Sequence, residues 1–296
     1  MTQTERAQEL RQRLREGLLI SDGAMGTTLS AEGHTPGRSL ELLNIEQPDL
    51  VRAAHRGFLG AGSNVLQTNT FQGSRPALER HGLAERTAEL NAAAAALARE
   101  VAGDHAFVAG DIGPTGRILE PYGDFGESAA RAAFEEQVQA LADAQVDLLI
   151  VETFFSLEEA KLAIGAAVAT GLPTVASMAF QYPPATTPWG VTPQYAAQEL
   201  EATGVMVIGA NCGTVSPDDM VKVIDLFHHA TSLPLIAQPN AGRPELTESG
   251  VTYRESPESL ADAAQRFLDL GATIIGGCCG TTPDHIRAIA TRLRGR

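Results

Sequence analysis

The chain has 296 residues, 44% of them apolar and 20% charged, and a formal net charge of −14. No block of Lys or Arg offers the clustered positive charge that nucleic acid or an anionic membrane rewards. No apolar run approaches the roughly 20 residues of a membrane span, and the charged opening MTQTERAQELRQRLREG has no hydrophobic signal segment.

Three cysteines make a poor disulfide framework, so a soluble protein of a reducing cytoplasm is expected. In chain order, residues 1–17 predict one amphipathic helix outside the main repeat. Eight short β-rich apolar runs follow, each ending in a Gly, Asn, Asp or Cys cluster. They are Leu18–Gly23, Asn64–Thr70, Ala106–Gly113, Asp147–Phe154, Pro173–Phe180, Val205–Cys212, Pro234–Gly242 and Ala272–Cys279. They start 26 to 46 residues apart, room for a strand, a helix and a loop. Helix starts read clearly at Ser216-Pro217 and Thr282-Pro283, where an N-cap precedes a proline at the first helical position. Glu158–Ala167 and Ser259–Leu270 carry helical spacing as well.

Near-continuous apolar strands alternating with helices mean a parallel sheet covered on both faces. Eight of them predict an α/β fold, a (β/α)8 TIM barrel, as a single domain over 1–296. A doubly wound open sheet is the alternative, but DGAMG (Asp22–Gly26) lacks the GxGxxG spacing expected after its first strand.

In such a barrel the active site lies at the C-terminal strand ends. There the runs place Asp22, then Asn69 and Thr70, then Asp111, then Glu152. The sixth run ends in Asn211 and Cys212, the seventh in Asn240, and the eighth in Cys278 and Cys279. All three cysteines thus fall on one rim. Singly, each reads as a small buried hydrophobe, and the adjacent pair could close a strained vicinal disulfide. Together they read as three zinc ligands with an open fourth position, a catalytic rather than a structural arrangement. His285, the nearest histidine, lies inside a helix start. Such a soft site suits a thiol substrate, which metal coordination deprotonates. The chemistry is alkyl transfer to sulfur.

The motifs LLISDGAMGTTL, LLNIEQPDLVRAAH, GSNVLQTNTF, GDIGPTG, LLIVETF, GANCG, PNAG and GGCCGTTPDH resemble the homocysteine S-methyltransferase family, in family order and nearly end to end. Within it the likeness is nearest to the homocysteine-binding barrel of the cobalamin-dependent methionine synthases. The resemblance implies a zinc-dependent (β/α)8 barrel that methylates homocysteine to methionine. It makes Cys212, Cys278 and Cys279 the Zn2+ ligands, with the homocysteine sulfur as the fourth. It assigns Asp22 and Glu152 to the substrate ammonium and the amides around Gly23, Ala24 and Met25 to its carboxylate. Asn240 matches a residue that can take the open metal position when substrate is absent.

Asn69 belongs with the candidate substrate contacts, although Asn69, Thr70 and Asp111 also read as buried polar groups that tie loops together. His55 reads as a packing residue. The methyl donor stays open. Motif wording favours methylcobalamin on a separate corrinoid protein or domain. The alternatives are an onium donor (S-methylmethionine, S-adenosylmethionine or betaine) and transfer to a different thiol in a corrinoid demethylation system. The loop Phe180–Pro193, with Tyr182 and Trp189, could hold a methylated cation against aromatic faces. Metal storage and a Cys278–Cys279 redox role are the rival readings outside this chemistry.

Overall fold

The structure is a computed structural model that describes residues 2–32, 37–247 and 250–295. Every apolar run forms a strand, each shorter than or equal to its predicted span. The strands are β1 (Leu19–Ile20), β2 (Val65–Gln67), β3 (Phe107–Ile112), β4 (Leu148–Phe154), β5 (Thr174–Met178), β6 (Val207–Asn211), β7 (Leu235–Gln238), β8 (Glu245–Thr247), β9 (Gly250–Thr252) and β10 (Ala272–Ile275).

Eight of these form one parallel sheet in the order β1-β10-β7-β6-β5-β4-β3-β2. A single parallel bridge, Ser21 to Val65, joins the two ends of that sheet and closes a (β/α)8 barrel. β8 and β9 were not anticipated. They pair antiparallel as a separate hairpin in the loop after β7, and their residues are too polar and exposed to give an apolar run.

Period two along the strands decides what faces inward. Leu19, Val65, Ala109, Ile150, Val175, Val207, Ile236 and Ile274 form one buried cluster inside the barrel. One step further along the same face come Ser21, Gln67, Asp111, Glu152, Ser177 and Gln238, all polar. The barrel is therefore apolar at its lower end and polar at its mouth. Outside the strands, a second cluster buries the helices against the sheet through residues such as Phe58, Phe134, Phe227 and Phe267.

The predicted N-terminal helix spans Gln3–Glu16 and plugs the lower end, where Leu10 and Leu14 join the interior cluster. Full burial of each such leucine contributes about 1.5–3 kcal/mol. Arg6, on the same helix, reaches Asp147 with its Nε at 2.7 Å and donates through Nη2 to the Ala106 carbonyl at 2.6 Å. Arg99 Nη2 lies 2.8 Å from the other oxygen of Asp147. The predicted caps form too: Ser216 accepts from the Asp219 amide, ahead of Pro217–His228. Among the described residues, no helix is long and apolar enough to cross a membrane.

Candidate metal centre and substrate pocket

The strand ends bring the three cysteines together. Their sulfurs lie within 4.8 Å of one another, Cys212 Sγ and Cys279 Sγ at 3.9 Å, and all three are free thiols. The backbone is bent to do this. Cys212 sits at φ +52° and Gly213 follows at +75°. A non-glycine residue held in the left-handed region costs about 1–3 kcal/mol and persists where its surroundings enforce it. Here the Cys212 amide donates to the Gln238 carbonyl at 3.1 Å, and the Thr214 amide to the Phe180 carbonyl at 3.2 Å. A Cβ on Gly213 would run into that same Phe180 carbonyl. The Cys278 amide donates to the Pro239 carbonyl and the Ala241 amide to the Cys279 carbonyl, so PNAG and GGCC are laced on both sides of Asn240.

Three half-buried thiols this close together cannot all ionise without a cation. Hydrogen bonds from Cys212 and Cys278 favour a thiolate on Cys279, lowering it to about 3. The Cys278 hydrogen bond also favours a Cys212 thiolate, but the bond to Cys279, burial and the charge on Cys279 outweigh it and push Cys212 up to about 12. The donor set fits a soft metal ion. Asn240 fits as well: its Nδ2 donates to the Gly213 carbonyl at 3.0 Å, while its Oδ1 is buried with no hydrogen-bond partner. His285 is committed elsewhere, with Nδ1 accepting from the Thr282 amide at 3.2 Å and Nε2 against the Glu255 carbonyl at 3.0 Å.

The cysteines share a cavity of about 380 Å³ with Gly23, Ala24, Met25, Asn69, Asp111 and Glu152. Asp22, between the end of the first strand and Gly23 of the cavity wall, is 1% exposed and accepts from the Gln67 amide at 2.8 Å. Burial, partly offset by that bond and reinforced by the charge on Glu152, raises Asp22 to about 8. Burial and the charge on Cys279 raise Glu152 to about 7. Asp111 is pushed well above the carboxylate range by burial and by the charges on Glu152 and Asp22. An acidic pocket that holds its protons this tightly is short of a positive partner.

Asn211 organises the mouth and was only a strand end in the sequence. Its Nδ2 donates to Glu152 Oε2 at 2.7 Å and to Thr153 Oγ1 at 2.6 Å. Its Oδ1 accepts from the Thr153 amide at 2.9 Å and the Ser177 hydroxyl at 2.8 Å. Thr153 stands at φ +64°, a rare conformation for a β-branched residue. The β4–β5 register shifts at the same point, between Val151 and Phe154. Such irregularities re-aim side chains beside active sites. The signal in the sequence was Asn211 itself, next to Cys212 in GANC, but its partners are visible only once β4 is bent.

The other candidates fall as follows. The Ala24 amide already donates to Thr281 Oγ1 at 3.1 Å. Asn69 spends both N–H groups on the Leu40 carbonyl (2.8 Å) and Asn44 Oδ1 (3.0 Å), leaving its oxygen to offer the cavity. Thr70 ties loops, donating to the Asp111 carbonyl at 2.7 Å. His55 is buried in the helix Pro48–Ala61 and lowered to about 4 by burial. Trp189 and Tyr182 lie away from the cysteine cavity. Trp189 faces Tyr122 at 5.6 Å across a groove of about 910 Å³ that also includes Phe155 and Tyr195. Tyr182 packs under Lys222 at 4.7 Å.

Fold and site together define a class: a (β/α)8 barrel that offers a soft three-sulfur metal site and an acidic pocket at one mouth. The chain belongs to the homocysteine S-methyltransferase family, whose model matches residues 19–293. It is 32% identical over 299 residues to the methionine synthase of Mycobacterium tuberculosis, covering 95% of this chain and 25% of that protein. The methionine synthase of Mycobacterium leprae is 32% identical over 308 residues, covering 96% and 25%. The chain thus spans a quarter of the length of these curated relatives. It also resembles the crystal structure of the homocysteine methyltransferase MmuM from Escherichia coli in its metallated form. That match has a TM-score of 0.80 and 27% identity over 96% of this chain and 99% of that one.

Proposed function

We propose that this barrel transfers a methyl group to the thiol of L-homocysteine, giving L-methionine, with Zn2+ held by Cys212, Cys278 and Cys279. One observation carries the reading: a cluster of three thiols shares a cavity with the buried carboxylates Asp111 and Glu152, and Asp22 is buried directly behind Gly23 in its wall. A thiolate and an ammonium are the two charged ends of homocysteine that such walls complement. When bound there, zinc supplies the means to hold a substrate thiol as a nucleophilic thiolate at neutral pH.

The chain's own residues do the rest. Asp22 and Glu152 receive the ammonium, which gives these carboxylates the positive partner they lack. The amides of Gly23 and Met25, on either side of the one already bonded to Thr281, receive the carboxylate. Asn69 offers its oxygen at the pocket wall, and Asn240, whose Oδ1 has no hydrogen-bond partner, would supply a fourth ligand to the metal when substrate is absent. Asn211 fixes Glu152, so the amino acid is held at one end while its sulfur faces the mouth. A sulfur lone pair then forms the S–CH3 bond as the methyl–donor bond breaks, the donor leaving with that electron pair. Alignment of this kind contributes several kcal/mol to a bimolecular step.

The donor we assign is methylcobalamin on a separate corrinoid protein or domain, in keeping with the similarity to methionine synthases. The aromatic groove of Tyr122 and Trp189 supports the second reading, an onium donor. The test is zinc content and homocysteine-dependent methionine formation for the purified chain and for Cys279→Ala, with methylcobalamin and S-methylmethionine in separate reactions. The expected result is one zinc per chain and turnover that falls at least ~10³-fold in the variant. The productive donor identifies the class. No zinc after metal-replete reducing purification, or turnover that survives the substitution, sinks the mechanism.

A further inference from the structure

Asp111 lines the cavity described above but has been given no role of its own, and its placement is costly. It lies on the inward face of β3, in the polar layer that begins one step above Ala109, and is 5% exposed. Its backbone is fixed by Thr68 Oγ1, which accepts from the Asp111 amide at 3.0 Å, and by Thr70 Oγ1, which donates to the Asp111 carbonyl at 2.7 Å. Its side chain lines the cysteine cavity, as does that of Glu152. No donor stands at its Oδ1, which is buried without a partner among the described residues. Unmatched buried carboxylate oxygens are expensive, and one that lines a cavity points to a donor brought in by a ligand.

The ligand's chemistry supplies that donor. A primary ammonium has three N–H groups. Asp22 and Glu152 account for two, and Asp111 lines the same cavity as Glu152 and Gly23, the residue that follows Asp22. We propose that Asp111 is a third recognition residue for the substrate ammonium, accepting its remaining N–H at the unpartnered Oδ1. The inference rests on the homocysteine reading of the site. Asp111 thereby sets specificity: it rewards a thiol that carries a primary ammonium and is indifferent to one that carries none.

The test compares homocysteine with 4-mercaptobutanoic acid, the same thiol acid without the amino group, in zinc-replete wild-type protein, Asp111→Ala and Asp111→Asn. Michaelis constants, direct thiol binding by calorimetry, zinc content and melting temperature are measured for each. Alanine is expected to weaken homocysteine roughly ten- to hundredfold in KM and in binding, with kcat within about threefold. The amino-free thiol should change less than about twofold. Asparagine keeps an oxygen for the ammonium, so it should hold homocysteine within about threefold of wild type.

Asp111→Ser, small and polar, repeats the comparison should the alanine variant fail to fold. Equal losses for both thiols, or no loss for either, overturn the inference and leave Asp111 a loop tie. A wild-type protein that binds and methylates neither thiol overturns the homocysteine reading itself, and this inference with it.

Discussion

The two ends of the barrel bury carboxylates in opposite ways. At the lower end, Asp147 is 2% exposed and faces two guanidinium groups, Arg6 and Arg99, while its Oδ2 also accepts from the Val108 amide at 2.7 Å. At the mouth, Asp22, Asp111 and Glu152 are comparably buried, but burial dominates, reinforced by the charge on Glu152 at Asp22 and Asp111 and by that on Cys279 at Glu152, and each is raised. The lower carboxylate is complete within the protein. No cation acts on the upper ones among the described residues. Buried acid without its counter-charge is thus the mark of function here, and buried acid with it the mark of assembly.

The contrast can be broken most forcefully at the lower end. Arg6→Ala strips Asp147 of one guanidinium and should cost about 3 kcal/mol of unfolding free energy, as removal of one member of a buried pair does. Denaturant unfolding measures it, and kcat well below the melting temperature should not move. A drop in kcat without a drop in stability would erase the division between the two ends. Asn211→Ala acts at the mouth and should do the reverse. Losing its hydrogen bond to the Glu152 carboxylate should cost about 2 kcal/mol in kcat/KM, roughly thirtyfold. The cost should fall mainly on KM for homocysteine, and steady-state kinetics separates the two parameters.

The smallest effect sharpens the comparison through pH. Asp22 stands at about 8 when folded, against 3.8 ordinarily, so the folded chain keeps a proton that the unfolded chain has lost. Its contribution is therefore full at low pH and disappears as pH rises through about 8. His55 works in the opposite sense, but only below its ordinary 6.5, where the unfolded chain takes up a proton that the buried ring refuses. Between pH 6.5 and 8, Asp22 should make the metal-free chain less stable by up to about 1.4 kcal/mol per pH unit. Asp22→Asn should flatten that slope. An unchanged slope in the variant would mean that Asp22 is ionised in the folded chain.

The sequence exposed the barrel because its signal is local: an apolar run, a polar stop, a helix start. It overstated strand lengths because the polar stops leave the ladder in order to face the mouth. Thus Asp22 lies beyond β1, and Asn240 beyond β7. The cysteines were legible because all three sit on such stops. Asn211 was visible as a polar strand end but not as the partner of Glu152, since that contact depends on the left-handed Thr153 and on neighbouring strands. The β8–β9 hairpin escaped because neither strand is buried enough to leave a pattern. Trp189 shows the limit of reading a loop by composition: an aromatic residue was noticed, but its partner, Tyr122, comes from the loop after β3.

The seam of the barrel has a consequence for how the protein is made. Leu19 and Ile20 pair with Ile274 and Ile275, so the earliest barrel strand waits for the latest before it has a neighbour on that side. Contacts so distant in sequence are slow to form, since their closure entropy comes before their reward. Cys278 and Cys279 follow β10 directly. During synthesis the emerging chain can stack β2 through β7 while Asp22 and the first thiol, Cys212, stand without their partners. The sulfur cluster and the closed wall beside it then arise in the same late event, so a folding intermediate lacking the seam also lacks a place for the metal.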